Sequence, residues 1–388
     1  MNDWGTSIAK EDGMVSMWRS TARHIAILAT VMLAVALSAQ RLPAQATEIN
    51  RPTIDNARVE KRTLSEPLAS TLKTWAAKAT QPQWIGYSVP QVAGDHQVCC
   101  SGSSGSWNQS CGPCRLEDSD HGITMNSHDT TARLEAPRGI AILFRAEHNV
   151  IGKIRVVSED CTLDAGGLPI VWLTNVRPSE SVAVLIGYVH GENFEEGEDT
   201  RTGREALTAI ALHADDSADH ALESFVRPDE RESLRRQASF WLGEARGKFG
   251  LVALQRMAKS DPSSEVRSQV TFALSISREP AAIDEMIRVA HDDESAHVRG
   301  QALFWLAQKA GKKAGEAITG AIANDPDTEV KKKAVFALSQ MPKDEGVPKL
   351  IEVAQTNRNP AVRKQAMFWL GQSNDPRALA FFEKVLTQ

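Results

Sequence analysis

No excess of charge of either sign marks this chain. Its 388 residues carry 44 Lys+Arg against 49 Asp+Glu, a net charge of −5. Residues 201–388 alone hold about 27 basic and 26 acidic groups. That balance offers no electrostatic capture of a polyanion, so nucleic acid is not expected as a partner. No apolar run reaches the ~20 residues that cross a bilayer as a helix. Gly-rich phosphate loops, a His-Glu-x-x-His helix and a paired-carboxylate spacing are missing, and no Ser-His-Asp set is identifiable. These absences leave no catalytic residue, metal ligand or cofactor to assign.

What stands at the N-terminus reads as a secretion signal. Arg19, Arg23 and His24 precede an uncharged apolar run from Ile25 to Ala39, and Arg41 and Pro43 follow it. Ala44-Gln45-Ala46 then supplies the small-x-small pattern that signal peptidase needs, which places cleavage after Ala46 and the protein in the periplasm or outside the cell. The stretch before Arg19 is long and contains acids, so Met14 and Met17 compete with Met1 as the start of translation. The alternative is an uncleaved segment, which would be the one route to a membrane.

Export gives meaning to five cysteines, because the compartment permits disulfides. Cys99 and Cys100 are adjacent, Cys111 and Cys114 bracket Gly-Pro after a Ser/Gly-rich spacer, and Cys161 stands apart. Cys111-Gly112-Pro113-Cys114 has the sequence of a thioredoxin redox motif, which needs an apolar strand before it and a helix N-terminus behind the first thiol. Here Ser101 to Ser110 precede it instead. A four-Cys zinc site is poorly served by adjacent Cys99 and Cys100. Disulfides that staple a core-poor loop are the simpler expectation.

The chain divides into a signal peptide (1–46), a polar linker (47–64), a Cys-containing α+β domain (65–190), an acidic hinge (191–203) and a repeat array (204–388). In the first of the folded parts, Ser65 is placed to cap a short helix, and strand signals run through Trp84 to Val89, Ile140 to Phe144, Val150 to Val157 and Ile170 to Leu173. His148-Asn149 and Asp164 to Gly167 read as turns. Residues 93–138 show little periodicity.

The array declares itself by a fixed period. Phe240, Phe272, Phe304, Phe336 and Phe368 are 32 residues apart, and Leu242, Leu274, Leu306, Leu338 and Leu370 keep the same register. Ala238, Val270, Ala302, Ala334 and Ala366 keep it two residues earlier. A period of this length means helix pairs, each burying its apolar face on the next. Asp229, Asp261, Asp293 and Asp325 recur at this period six residues before Arg235, Arg267, Arg299 and a lysine, and Asn357 precedes Arg363. The recurrence predicts a structural ladder in which the carboxylate caps a helix start and meets an arginine.

The turn Asp-Pro-x-x-Glu-Val-Arg, with the following helix ending Ala-Leu or Trp-Leu, resembles the short HEAT-like repeats named after phycobilin lyases. The resemblance covers about five repeats over residues 218–388, after a half-repeat from Arg204 to His213, and implies an α-solenoid used as scaffold and partner-binding surface. The overall expectation is a mainly α protein, with a small, irregular β-containing Cys-rich domain ahead of the solenoid. Deoxyhypusine hydroxylases are similar repeat proteins that hold iron through His-Glu dipeptides, and none occurs in this array. Phycobilin lyases act on a cytoplasmic substrate, which fits poorly with a secretion signal.

On a helical wheel Phe304 falls about 140° from the centre of the apolar stripe. Gln301 and Gln308 flank it, and Gln365, Phe368 and Gln372 repeat the arrangement, as do Phe336 and Gln340 with Lys333. One reading is a ribbon of rings between amides that binds an extended peptide; the other is that each Phe packs on the next repeat. Trp241, Trp305 and Trp369, alternating with Ala273 and Ala337, are expected in the core. The functional expectation is therefore an exported, non-enzymatic protein-binding or scaffolding protein. Its alternative is a thiol- or metal-dependent enzyme sited in the cysteine cluster. Oligomeric state is left open.

Overall fold

The computed structural model describes residues 51–388 except 95, 97, 99–113, 118–137, 192–199, 310 and 388. The expected signal segment, Cys99, Cys100, Cys111 and the acidic run of the hinge therefore lie outside the described residues. Residues 49–388 form one compact unit.

Its first part is built on alternation. In β3 (Gln83–Pro90) and β5 (Gly139–Glu147), Ile85, Tyr87, Val89, Ile140, Ile142, Phe144 and Ala146 point to one face. Trp84, Ala141 and Leu143 point to the other, as a period of two requires. With β2 (Val59–Thr63), β6 (Val150–Ser158) and β8 (Ile170–Thr174), these strands form a five-stranded sheet of order β2-β8-β3-β5-β6. β2 pairs parallel with β8, and β8 parallel with β3. β5 and β6 form the antiparallel hairpin expected from the sequence. Its turn residues, His148 and Asn149, have φ of 49° and 68°, the positive values that a two-residue hairpin turn demands. Gly86 makes room inside the sheet: a Cβ there would sit 2.8 Å from the Trp172 ring.

The expected linker is a point of difference. β1 (Thr53–Asp55) pairs with β7 (Thr162–Asp164), and β2 completes the large sheet, so residues 53–55 and 59–63 are strand rather than tether. Both pairings join segments more than a hundred residues apart, which local polarity does not reveal. The domain is also more regular than expected. A second sheet of order β1-β7-β4, with β4 at Cys114–Arg115, covers one face of the first and shares a core of Trp84, Leu143, Trp172, Cys114, Leu116, Cys161 and Leu163. α1 (Leu68–Lys78) and α2 (Pro178–Val189) cover the other face. Ser65 does not cap α1. Pro67 occupies that position, and the Glu180 carboxylate accepts from the Leu68 N–H at 2.6 Å instead.

The rest is helical. α3 (Thr200–Leu212) and α4 (Asp216–Phe225) lead into five helix pairs. One layer holds α5 (Glu232–Ala245), α7 (Ser264–Ile276), α9 (Ala296–Lys309), α11 (Thr328–Gln340) and α13 (Pro360–Gln372). The second holds α6 (Gly247–Ser260), α8 (Ala281–Asp292), α10 (Lys312–Asn324), α12 (Lys343–Thr356) and α14 (Pro376–Leu386). The periodic leucines and the Ala238 series are completely or almost completely buried in every repeat. Gly250, Ala282, Ala314, Gly346 and Ala378 form a further buried series of small residues, which the sequence reading missed. They let the two helices of a pair approach closely; a Cβ on Gly250 would run into the Leu242 carbonyl. A single apolar core runs from Leu68 in α1 to Phe381 in α14.

Candidate functional site

The five phenylalanines lie on the α5–α13 layer, and the helix period brings them into one line. Phe240 stacks on Phe272 at 6.2 Å, and Phe304 on Phe336 at 6.0 Å. Between these stacks stand the tryptophans. Trp305 is 4.8 Å from Phe272 and 4.9 Å from Phe304, and Trp369 is 4.9 Å from Phe336 and 5.0 Å from Phe368. With Trp241 against Phe240 at 5.0 Å, eight rings make an unbroken chain along five helices. Fully buried Ala273 and Ala337 occupy the tryptophan phase in alternate repeats, so Phe–Phe and Phe–Trp contacts alternate.

The two expectations for these rings are thus combined in one geometry. The rings pack on one another, two pairs stacked and the others edge-on or tilted, as aromatic pairs favour. They also stay partly open to solvent: four phenylalanines are half-buried and Phe368 is 53% exposed. Trp305 and Trp369 are half-buried beside the core rather than inside it. Gln301 and Gln365 are half-buried on this layer, and Gln308, Gln340 and Gln372 are exposed. Gln340 bonds the Ser339 hydroxyl at 3.1 Å. The other four amides have no hydrogen-bond partner among the described residues, and are free to donate and accept.

Asp and Arg of the ladder meet across repeats rather than within one. Arg235 reaches Asp261, Arg267 reaches Asp293 and Arg299 reaches Asp325, each a two-bond fork with its shorter bond at 2.9, 2.9 and 2.8 Å. The side chains in these pairs are at most 9% exposed. The residue six positions earlier contributes its carbonyl: Arg267 donates to Asp261 O, Arg299 to Asp293 O and Arg363 to Asn357 O, all at 2.8 Å. Pairing lifts the Arg267 and Arg299 guanidinium groups above their ordinary range.

The carboxylates do not cap the helix starts, which corrects the sequence expectation. Asp261, Asp293, Asp325 and Asn357 end the preceding helices, and each side chain closes a turn onto the N–H two residues later. Ser263, Asp327 and Asn359 do the capping. Asp229 lies outside the ladder, with its side chain 72% exposed beside Arg227. The ladder is structural glue.

Cys114 opens the short strand β4 and is followed by a turn, so no helix N-terminus stands behind it to acidify a thiol. Cys114 and Cys161 are buried, and neither is a free thiol. Among the described residues no His, Cys, Asp and Glu side chains gather in threes as a metal site would require. No described helix is long and apolar enough to cross a membrane.

A second polar cluster lies where sheet and array join. His213 is fully buried and touches the Ala209 carbonyl through Nδ1 at 2.6 Å and the Ser181 hydroxyl through Nε2 at 2.9 Å. Ser181 in turn meets the Tyr87 hydroxyl at 2.7 Å. Burial pushes the His213 pKa down to about 4 and the Tyr87 pKa well up. Three fully buried groups linked in this way hold elements together, and none of them is open to a substrate.

The family model that matches is HEAT repeats, over residues 219–307 and 316–388. No curated protein matches significantly. Among solved structures, human deoxyhypusine hydroxylase in complex with glycerol is similar at 18% identity and a TM-score of 0.23, over 53% of this chain and 77% of that one. The complex of CpcE and CpcF of phycocyanin lyase from Nostoc sp. is similar at 17% identity and a TM-score of 0.29, over 54% and 81%. A Kap95p complex with RanGDP is similar at 15% and 0.32, over 53% and 31%. The C-terminal array of this chain belongs to the HEAT repeats.

Proposed function

We propose that this is an exported, non-enzymatic binding or scaffolding protein that holds an extended segment of a partner protein along the ring-lined layer of its HEAT array. One observation carries the reading: an unbroken chain of eight rings partly open to solvent, flanked by amides of which four bond nothing else among the described residues. Rings supply apolar area and amides pair with a peptide backbone, as in other peptide-binding surfaces. Neighbouring helices lie ~8–10 Å apart and an extended chain advances ~3.3 Å per residue. About three residues of the partner therefore pass each repeat, and about a dozen pass the whole layer.

Selection from a displayed peptide library tests this. Peptides enriched on the full chain should be apolar at regular intervals and should be lost on Gln301→Ala and Gln365→Ala, which alter no core contact. Failure to enrich any peptide over the double variant would leave the ring chain a packing device. Export rests on the Ile25 to Ala46 signal. Sequencing of the mature N-terminus should read Thr47, and retention of residues 20–40 would make the protein membrane-anchored. Disulfides stapling the cysteine segment belong to the same reading, supported by the absence of a free thiol at Cys114 and Cys161.

A further inference from the structure

Two more glutamines share the layer of the rings. Gln237 and Gln269 stand three residues before Phe240 and Phe272, as Gln301 and Gln365 stand before Phe304 and Phe368. All four are half-buried, and none bonds another group among the described residues. The fourth repeat breaks the series with Lys333, which is exposed. Its chain lies against Gly300 of α9, where a Cβ would run into it, so the ammonium is carried across toward the third repeat. One polar group therefore accompanies each Phe, in a file that runs beside the aromatic chain.

The one departure in this file bears on what the file can meet. A glutamine amide donates and accepts, whereas a lysine ammonium only donates. Donation is what all five positions have in common, so a bound segment has to offer acceptors here, carbonyl or carboxylate oxygens. Charge points the same way. From four residues before each Phe to four after it, the helices hold Arg236, Lys332, Lys333 and Lys364 against one acid, Glu244. Glu244 faces His96 at 3.7 Å, and Lys332 bonds Glu329 at 3.0 Å. Arg236 and Lys333 are exposed with no carboxylate on them among the described residues.

Spacing selects the conformation of that segment. A β-strand presents the same face every two residues, ~6.6 Å, and slips out of register with helices ~8–10 Å apart. A polyproline II helix turns once in three residues, ~9.3 Å, and so offers every repeat the same face. Its backbone makes no internal hydrogen bonds, which leaves its carbonyls for the amides. Proline also lacks the N–H that a lysine cannot accept, and aromatic-lined surfaces are where such segments dock. Resting on the peptide-binding reading above, we propose that the partner segment is proline-rich and acidic. It lies as a polyproline II helix with one turn per repeat, and sets carboxylates beside Lys333 and Arg236.

Fluorescence anisotropy of the full chain with labelled twelve-residue peptides tests the proposal. A peptide of four Pro-Pro-Glu triplets should bind at least about tenfold more tightly than one with the same residues out of triplet order, and than one of four Pro-Pro-Gln triplets. Lys333→Gln, which places here the residue of the other four repeats, should cut the preference for glutamate over glutamine triplets about threefold. Gln237→Ala with Gln269→Ala should weaken both triplet peptides alike. A preference untouched by Lys333→Gln would remove the carboxylate contact. Tighter binding of a peptide that alternates phenylalanine and glutamate would overturn the proline-rich partner and leave the peptide-binding reading standing. Binding of neither kind would overturn both.

Discussion

At the scale of single residues, a ladder side chain contributes more than a helix cap. Removing Asp325 leaves Arg299 buried without its anion, and breaking a buried pair in this way typically costs about 3–5 kcal/mol. Asp325→Ala should lower stability by that order in chemical denaturation. Asp293→Ala should cost less, because the Glu294 carboxylate already bonds Arg267 at 3.0 Å and can take over. Lys331 and Asn357 depart from the pattern together, and the pairing explains why: they are 26 residues apart, the spacing of every bonded pair. Lys331→Arg with Asn357→Asp should therefore stabilise cooperatively, with a coupling of about 1–3 kcal/mol in a double-mutant cycle. Additive effects would remove the inter-repeat pair as the reason for the coincidence. His213 supplies the pH dependence. Its pKa is about 4 in the folded protein, below the ~6.5 of an unfolded chain. Above that value both states are neutral and nothing is lost. As the pH falls through it, only the unfolded chain takes up a proton, so stability declines by about 2 kcal/mol between pH 7.5 and 5. His213→Gln should flatten that slope, and an unchanged slope would place the titrating group elsewhere.

At the scale of elements, the ring chain makes unequal demands on equivalent residues. Phe336 lies between Phe304 and Trp369, while Phe368 touches Trp369 and is otherwise open. Phe336→Ala should cost about 2–3 kcal/mol through lost burial and two ring contacts, and Phe368→Ala less than about 1. Equal costs would mean that stacking contributes little. The period of 32 made the helix pairs, the buried leucines and the alternating Trp/Ala legible in the sequence, since those depend only on phase along one helix. It did not make the ladder legible in full. A strict period gives Asp-to-Arg distances of six and of 26 equal support, and only the joint departure at Lys331 and Asn357 separates them. For the phenylalanines two readings stayed open for a related reason: a wheel shows that Phe304 turns away from the core, but does not decide whether the next helix brings Phe336 to meet it. In the N-terminal domain the hairpin turn and four strands were readable from alternation and turn residues. β1 and β2 were not, because their short, charged sequences become strands only by pairing with β7 and β8, more than a hundred residues away.

At the scale of the whole molecule, sheet and array are joined by more than apolar contact. The chain after β3 pairs with the end of α3: the Val92 N–H donates to Leu212 O at 2.8 Å and the Ala214 N–H to Pro90 O at 2.9 Å. Arg246, between α5 and α6, donates to His213 O at 2.8 Å and to Ala211 O at 3.2 Å, and binds Asp219 of α4. A repeat array held only by neighbours unfolds piecewise, each repeat stabilised by the next. Here the first repeats are bonded to a sheet whose strands come from distant parts of the chain, so they should open only when the sheet opens. Native-state hydrogen exchange distinguishes the two behaviours. Amides of β5 and of α5 should exchange with the same opening free energy, and those of α13 and α14 with a smaller one. Arg246→Ala should speed exchange in β5 and α5 together, because it frees the α3 end from both sides, and should leave α13 as it was. Faster exchange in α5 alone would make the array an independent folding unit that merely abuts the sheet.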